Sequence, residues 1–594
     1  MSRNEAPVNT NYTLNTAGKA QQATFNSVFK RLAPLLADEK RTVALAFVAM
    51  LMTSASSLLT PFVIGRAVDT SIRDRDFTGV LLLAGFLLAV FLCGLLASYF
   101  QTLAMGTVGR NVLFKMRNTL FTKLQELPLV FFNQNKAGDL ISRINNDTDK
   151  LNQFFSQSLV QLAGNLFMMA GAAILLLSLN IRLGAAALTP AIGVLIFTQI
   201  VSGWVKRKNL KSLQSLGAMS AEIQESLSNF KVIVAFNRLD YFRQKFNEAN
   251  ERNFSASVAG GIANGVFMPV YGLALNLAQL IVLSYGMYLI GAGVLSVGAL
   301  IGFLLYVNSF YMPLRQVAML WSSFQLALAA FERISDVVSL SSNMPILSNT
   351  NTTPSDAVLE FHKVRFSYPT GTEVLTDVSF RLEQGKTYAL VGPTGGGKTT
   401  TASLMARLYD PIEGQVLLRG KDIRAYQPEE RTRKIGFILQ EPFLFTGTIR
   451  DNVVYGNEQY RGYSDEQVIA LLKDRNVDGL LARFEQGLQT TVSAGGDAIS
   501  LGQKQLVAFM RAILRDPEIL ILDEATANID TITEQQLEGM LDKLPKSVTK
   551  VIIAHRLNTI ANADEIFFIN SAGITPAGSM EAAVDMLLHG KRVS

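Results

Sequence analysis

Tyr388-Ala-Leu-Val391-Gly392-Pro-Thr394-Gly395-Gly396-Gly397-Lys398-Thr399-Thr400 decides the architecture of the second half of this chain. Its first four residues read as a strand buried in a parallel sheet, which runs into a glycine-rich loop and then a helix from Lys398. Such a loop wraps backbone N–H groups around the α- and β-phosphates of a nucleotide. Lys398 then reaches the β- and γ-phosphates, and the Thr399 hydroxyl ligates Mg²⁺. A bare match to the loop arises by chance; a strand before it and a helix after it make it specific.

Working outward, Ile519-Leu-Ile-Leu522 is a second continuous apolar strand, and it ends in Asp523-Glu524. A strand of this kind delivers Asp523 to the phosphate end of the sheet, where it holds Mg²⁺ through water. Glu524 then stands beside the γ-phosphate as a candidate general base that polarises the attacking water. Between a polar linker at 337–357 and the C-terminus, strand and helix patterns alternate, so 358–594 is expected to be an α/β nucleotide-binding domain.

The front half has a different composition. The chain has 594 residues, 49% of them apolar and only 17% charged, with the apolar content concentrated before about residue 335. That exceeds one soluble domain. The single cysteine, Cys93, lies in an apolar run and excludes an intrachain disulfide framework; it is expected to be a small buried hydrophobe. The net charge of +6 is spread through segments flanking the apolar runs, which argues against nucleic acid as a partner. Residues 1–24 are polar and lack a cleavable apolar core, so they read as a disordered tail, not a signal peptide.

Six stretches, at about 41–63, 79–106, 157–180, 183–204, 259–290 and 294–319, are long and apolar enough to cross a bilayer. With an interfacial amphipathic helix over Phe25 to Leu36, they make a transmembrane domain at 25–336. Segments rich in Lys and Arg separate spans two and three and spans four and five, including Arg110, Lys115, Arg117, Lys206, Arg207 and Lys208. The positive-inside tendency puts both segments and both termini in the cytoplasm. Apolar residues recur at helical spacing through them, so the membrane helices are expected to continue well past the lipid, with bends near 132–139 and 222–236. The span centres carry amides and aromatics such as Gln161, Asn165, Asn264, Tyr271 and Tyr306 in place of charges. Most are read as helix-packing hydrogen bonds, a minority as cavity lining.

Further motifs extend the pattern: Val364-Arg-Phe-Ser-Tyr368-Pro, Phe437-Ile-Leu-Gln440-Glu-Pro442, Ile499-Ser500-Leu501-Gly502-Gln503, Asn528-Ile-Asp530 and Ile552-Ile-Ala-His555-Arg. In this order they resemble the ATP-binding cassette (ABC) exporters, specifically half-transporters in which six spans precede one nucleotide-binding domain. The resemblance covers nearly everything after residue 25. It implies that ATP and Mg²⁺ are bound, that Tyr368 stacks on adenine, that Gln440 senses Mg²⁺ and water, and that His555 contacts the γ-phosphate. It also implies that the bends carry short helices that touch the ATPase.

The resemblance further implies a second half-transporter, because Ser500, Gly502 and Gln503 complete the partner's ATP site. The signature departs from the family's usual Leu-Ser-Gly-Gly-Gln at Leu501, and Ala494 stands where exporters commonly have an acid. Glu524, Gln440 and His555 are intact. The chain therefore resembles the hydrolysis-competent member of heterodimeric multidrug-type exporters, in a bacterial inner membrane, moving an amphipathic or lipophilic small molecule or lipid among the membrane lipids. A homodimeric lipid flippase and an importer on the exporter fold are the alternatives.

Overall fold

Apolar helices of unusual length dominate the computed structural model, which describes residues 11–14, 37–347, 355–369, 371, 373–493, 499–523, 531–553, 562–570 and 573–589. Two compact units emerge. One comprises Met1–Leu14, Leu124–Ala137 and Ser339–Ser594; the other comprises Asn15–Lys123 and Gly138–Val338.

The membrane unit contains α1 (Lys40–Ala67), most of α2 (Phe77–Glu126), α4 (Leu159–Leu179), α5 (Ile181–Ser228), α6 (Phe230–Ala235), α7 (Leu239–Gly265), α8 (Phe267–Gly291) and α9 (Val297–Val338); α3 (Leu129–Gln134) belongs to the other unit. Among the described residues six helical stretches are long and apolar enough to cross a membrane. As the spacing predicts, the helices run far beyond a bilayer's needs: α2 has 50 residues and α5 has 48, where about 20 suffice. The chain breaks after Gln134 and at Asn229. Between α4 and α5 a single residue turns the chain, because the Asn180 side chain accepts from the backbone N–H groups of Arg182 and Leu183 at 3.1 Å each. A Cβ on Gly184 would stand 2.5 Å from the Leu176 carbonyl, so only glycine permits that tight return.

Small residues set the packing of this unit. Ala172, Ala187 and Ala278 are fully buried, letting helices approach closely, as membrane helices must when apolar burial alone gives no preference for protein over lipid. Hydroxyls add direction: Tyr306 donates to the Leu58 carbonyl and Tyr311 to the Ala187 carbonyl, each at 2.9 Å. Tyr271 shares a hydrogen bond with Thr198, and Asn264 exchanges two with Asn209, so these three polar residues of the spans do tie helices together. Asn165 does not, since its buried Nδ2 has no hydrogen-bond partner among the described residues. Cys93 corrects an expectation: it is exposed on α2. Lipid solvates the outer face of a span, so an apolar run does not tell inside from outside.

Farther along this unit Arg143, Asp139, Asp147 and Arg333 form a charge cluster in which Arg143 and Asp147 are buried and Asp139 and Arg333 half-buried. Asp139 meets Arg143 at 2.8 Å and Arg333 at 2.6 Å, while Asp147, with no exposed side-chain surface, meets Arg333 at 3.3 Å and Lys150 at 2.9 Å.

The second unit holds two larger sheets and a ribbon. Strands β1 (Ala357–Ser367), β2 (Glu373–Glu383), β4 (Glu413–Leu418) and β5 (Lys421–Asp422) form an antiparallel sheet. Strands β3 (Thr387–Val391), β6 (Ile435–Ile438), β9 (Ile519–Asp523), β10 (Thr549–Ile553), β11 (Glu565–Asn570) and β12 (Gly573–Pro576) form the central sheet in the order 12-11-3-10-9-6. A ribbon of β7 (Gly447–Thr448) and β8 (Thr491–Val492) completes the set. The central strands are parallel except at the β12 edge, which fits their unbroken apolar character. One segment departs from the sequence reading: Tyr12 and Leu14, inside the stretch read as a disordered tail, are 1% and 6% exposed. An aromatic and an aliphatic side chain two residues apart share one face of an extended chain, and burying them outweighs the polar neighbourhood.

Candidate active site

β3 delivers the glycine-rich loop. Tyr388 to Val391 are fully buried between β10 and β11, so the chain leaves the sheet at Gly392 with little freedom. Gly392, Gly395 and Gly397 have φ of +150°, +80° and +105°, a region in which L side chains are strained. Space is a second constraint, since a Cβ on Gly392 would lie 2.0 Å from the Ile569 carbonyl oxygen and one on Gly396 2.8 Å from it. The loop thus rests directly on the end of β11.

Gly397 leads into α10 (Lys398–Met405). Lys398 is buried, and its ammonium folds back to donate to the carbonyls of Gly392 and Pro393 at 2.9 and 3.0 Å. The Thr399 hydroxyl donates to Asp523 Oδ1 at 3.2 Å, joining the loop on β3 to the last residue of β9 across the intervening β10. Gln440 leaves the sheet at the same end, two residues beyond β6, whose Ile438 pairs with Leu522, and it is exposed. The crevice outside the carboxyl ends of parallel strands is where such sheets bind ligands.

Tyr368 follows β1 and shares a 3.0 Å hydrogen bond with Thr400 on the first turn of α10. Phe366 and Tyr409 meet its ring edge-on, at 5.0 and 5.5 Å between centroids. Burial, then the neighbouring Tyr368, pushes the Tyr409 hydroxyl above the ordinary tyrosine pKa, opposed by a hydrogen bond from Asn133. Asn133 of α3 donates to that hydroxyl at 2.8 Å. Neither Tyr409 nor Asn133 belongs to a motif that sequence reasoning could single out. The only signal is the position of Asn133 in the bend segment, and Tyr409 follows α10 in an unremarked Leu-Tyr-Asp.

Ser500, Gly502 and Gln503 open α11 (Leu501–Ile513). Ser500 and Gln503 form a capping box: Gln503 N–H donates to Ser500 Oγ at 3.2 Å, and Ser500 N–H to Gln503 Oε1 at 3.0 Å. The Gln503 amide also donates to the Arg483 carbonyl at 2.7 Å, while Gly502 is buried and Leu501 half-buried. The structure therefore gathers Tyr368, Gly392 to Thr400 (Thr394 and Gly395 exposed at the loop tip) and Asp523, and holds the Ser500 segment as a separate helix start. Glu524, His555, Asp530 and Ala494 lie outside the described residues. Among the described residues no group of three or more His, Cys, Asp or Glu could hold a metal ion alone. The oxygens of Thr399 and Asp523 nonetheless suit a hard cation that draws its other ligands from phosphate and water. A cleft of about 270 Å³ lies beside Gln440, lined by Phe437, Leu439, Phe443, Tyr455 and Arg511.

Residues 43–314 match the family described as ABC transporter transmembrane region, and residues 375–527 match the family described as ABC transporter. Among similar proteins is an ABC transporter ATP-binding protein of Bacillus subtilis (strain 168), YfiC, 32% identical over 95% of this chain and 93% of its own length. A fatty acid ABC transporter ATP-binding/permease protein of Mycobacterium bovis is 31% identical over 85% and 79% of the two chains. A multidrug resistance ABC transporter ATP-binding and permease protein of Lactococcus lactis subsp. cremoris is 30% identical over 85% and 86%. In fold, the chain is similar to a bacterial Atm1-family ABC exporter with ATP bound, with a TM-score of 0.75 at 26% identity over 90% of this chain and 94% of that one.

Proposed function

The chain belongs to the ABC transporter family, as an exporter of the multidrug or lipid type that couples ATP hydrolysis to transport, and we propose that it is the hydrolysis-competent half of a heterodimer moving an amphipathic or lipophilic molecule. The observation that carries this reading is the Thr399–Asp523 contact beside a loop whose positive φ angles call for glycine, in one chain with six spans. Lys398 binds the β- and γ-phosphates, the N–H groups of the loop from Gly392 to Gly397 with Thr394 and Thr400 bind phosphate oxygens, and Tyr368 orients adenine. Thr399, Asp523 and Gln440 would hold Mg²⁺, which when bound supplies positive charge to the phosphate oxygens. Glu524 polarises the attacking water and His555 fixes the γ-phosphate end of the site.

Two nucleotides bound between two cassettes favour their closed pair, and that difference in affinity opens the spans outward; hydrolysis resets them. In the assembled transporter Glu524→Gln is expected to lower ATP turnover by roughly 10²–10⁴-fold, the usual worth of a general base, while ATP still binds. Unchanged turnover and cargo movement would sink the reading.

Leu501 supports the heterodimer. Ser500, Gly502 and Gln503 face the partner's nucleotide, and a leucine where the family has glycine hinders close backbone approach at that site alone. The partner then carries an intact signature. If this polypeptide purified by itself turns over ATP equally at two sites, it is a homodimer. The printed functions of the relatives, fatty acid and multidrug transport, support an apolar or amphipathic cargo. The basic residues between spans support both termini in the cytoplasm of a bacterial cell, with the spans in its inner membrane.

A further inference from the structure

Four residues near the N-terminus are held by the turn that ends α3. In Asn11-Tyr12-Thr13-Leu14 exposure alternates, with Tyr12 and Leu14 buried and Asn11 and Thr13 exposed, as in an extended strand with one face covered. Tyr12 N–H donates to Gln134 Oε1 at 2.7 Å and Leu14 N–H to Asn135 Oδ1 at 2.9 Å. Asn135 Nδ2 returns bonds to the Tyr12 carbonyl at 3.0 Å and the Phe131 carbonyl at 2.7 Å. Two side chains of the turn thus satisfy the segment's backbone as a neighbouring strand would. The Tyr12 ring stands edge-on to Phe131, with centroids 6.4 Å apart, and its hydroxyl donates to the Ser341 carbonyl at 2.8 Å. One tyrosine therefore bridges α3 and the chain that follows Val338.

The neighbouring residue of α3 points toward the candidate active site. Asn133 donates to Tyr409, whose ring is edge-on to Tyr368, which shares a hydrogen bond with Thr400 on α10. We propose that Asn11 to Leu14 form a strap that fixes α3 to the nucleotide side of the cassette, with Tyr12 as its positioning residue. Among the described residues, Asn133 to Tyr409 is the polar tether that α3 keeps on that route without the strap; with it, α3 is also held at Gln134 and Asn135 and moves as part of the cassette. This role for motion rests on the reading that cassette closure drives the spans, whereas the clamp itself does not.

Hydrogen exchange of residues 129–135 in the assembled transporter, with and without Mg-ATP, tests the strap. Tyr12→Ala is expected to speed exchange of these amides on the order of tenfold, as fits loss of one buried hydrogen bond and an aromatic contact. The slowing that Mg-ATP gives the wild type there should also vanish. Tyr12→Phe, which keeps the ring against Phe131, should retain most of both. Gln134→Ala, which removes the acceptor of the Tyr12 N–H and leaves Asn135 bonded to Phe131, should speed the same amides even if Tyr12→Ala fails to assemble. Wild-type exchange at 129–135 in these variants, or acceleration spread evenly over the cassette, overturns the strap. A wild type without ATP turnover would defeat the functional reading yet leave the nucleotide-free exchange result standing.

Discussion

Thr399 and Asp523 meet at 3.2 Å, although 124 residues and one strand of the central sheet separate them. The hydroxyl of one orients the carboxylate of the other, so each is a partner as well as a candidate ligand. Thr399→Ala is expected to lower Mg²⁺ affinity and ATP turnover by roughly 10–100-fold, the range for losing a group that orients a ligand, while Thr399→Ser restores most of it. Turnover measured across a Mg²⁺ titration reads both effects.

Gly392 has φ +150° and no room for a Cβ beneath the Ile569 carbonyl. Gly392→Ala should cost about 1–3 kcal/mol from the backbone alone, with a lower Tm and weakened nucleotide binding. Gly462, where a Cβ would meet nothing within 4 Å, is the control. Gly462→Ala should stay within about 0.5 kcal/mol.

Arg333 neutralises Asp139 and the fully buried Asp147 together. Truncation leaves Asp147 with Lys150 and Asp139 with Arg143, so Arg333→Ala should destabilise the membrane unit by less than the ~3–5 kcal/mol of a fully uncompensated buried charge. Thermal unfolding in detergent checks it, and a Tm unmoved from the wild type would mean that the cluster is solvated.

Tyr306→Phe removes only the hydroxyl that bonds Leu58, and Tyr311→Phe the one that bonds Ala187. Each should cost about 0.6 kcal/mol, because such bonds within membrane proteins average that little. Equilibrium unfolding in mixed micelles measures the pair, and the double variant tests whether the two helix contacts are independent.

Asp451 is held below the usual carboxylate range by hydrogen bonds from the Thr448 backbone, then from its side chain, in the cap of the helix Ile449–Val454. A depressed folded pKa gives stability that is present above the unfolded value, about 3.9, and lost as pH falls through the folded one. Asp451→Asn should therefore flatten the acid side of the cassette's stability profile, read by unfolding between about pH 5 and 2.

The glycine loop and the apolar strand ending in Asp523 were legible because their chemistry is local: a strand, a loop and a helix in register with the sequence. The six spans were legible for the same reason, since hydropathy is a property of consecutive residues. Breaks near Asn135 and Asn229 could be read from short polar or glycine-bearing interruptions. Tyr12 could not, because its burial depends on Gln134, Asn135 and Ser341, more than a hundred residues away. Tyr409 was invisible likewise, being defined by Asn133 and Tyr368 and by no motif. Cys93 misled because apolar surroundings along the chain do not specify which face of a helix meets lipid.

α2 buries little: an 18-residue window of it has a mean hydropathy of 2.9 with 6% of the window buried, against 1.6 and 50% for α9. During synthesis the two helices face opposite problems. The first carries enough greasiness to leave the translocon and enter lipid unaided, whereas the last emerges less apolar and settles among helices already inserted. Insertion of this chain is accordingly expected to be sequential, and a chain truncated before Val297 would leave five spans in the bilayer without the less apolar sixth.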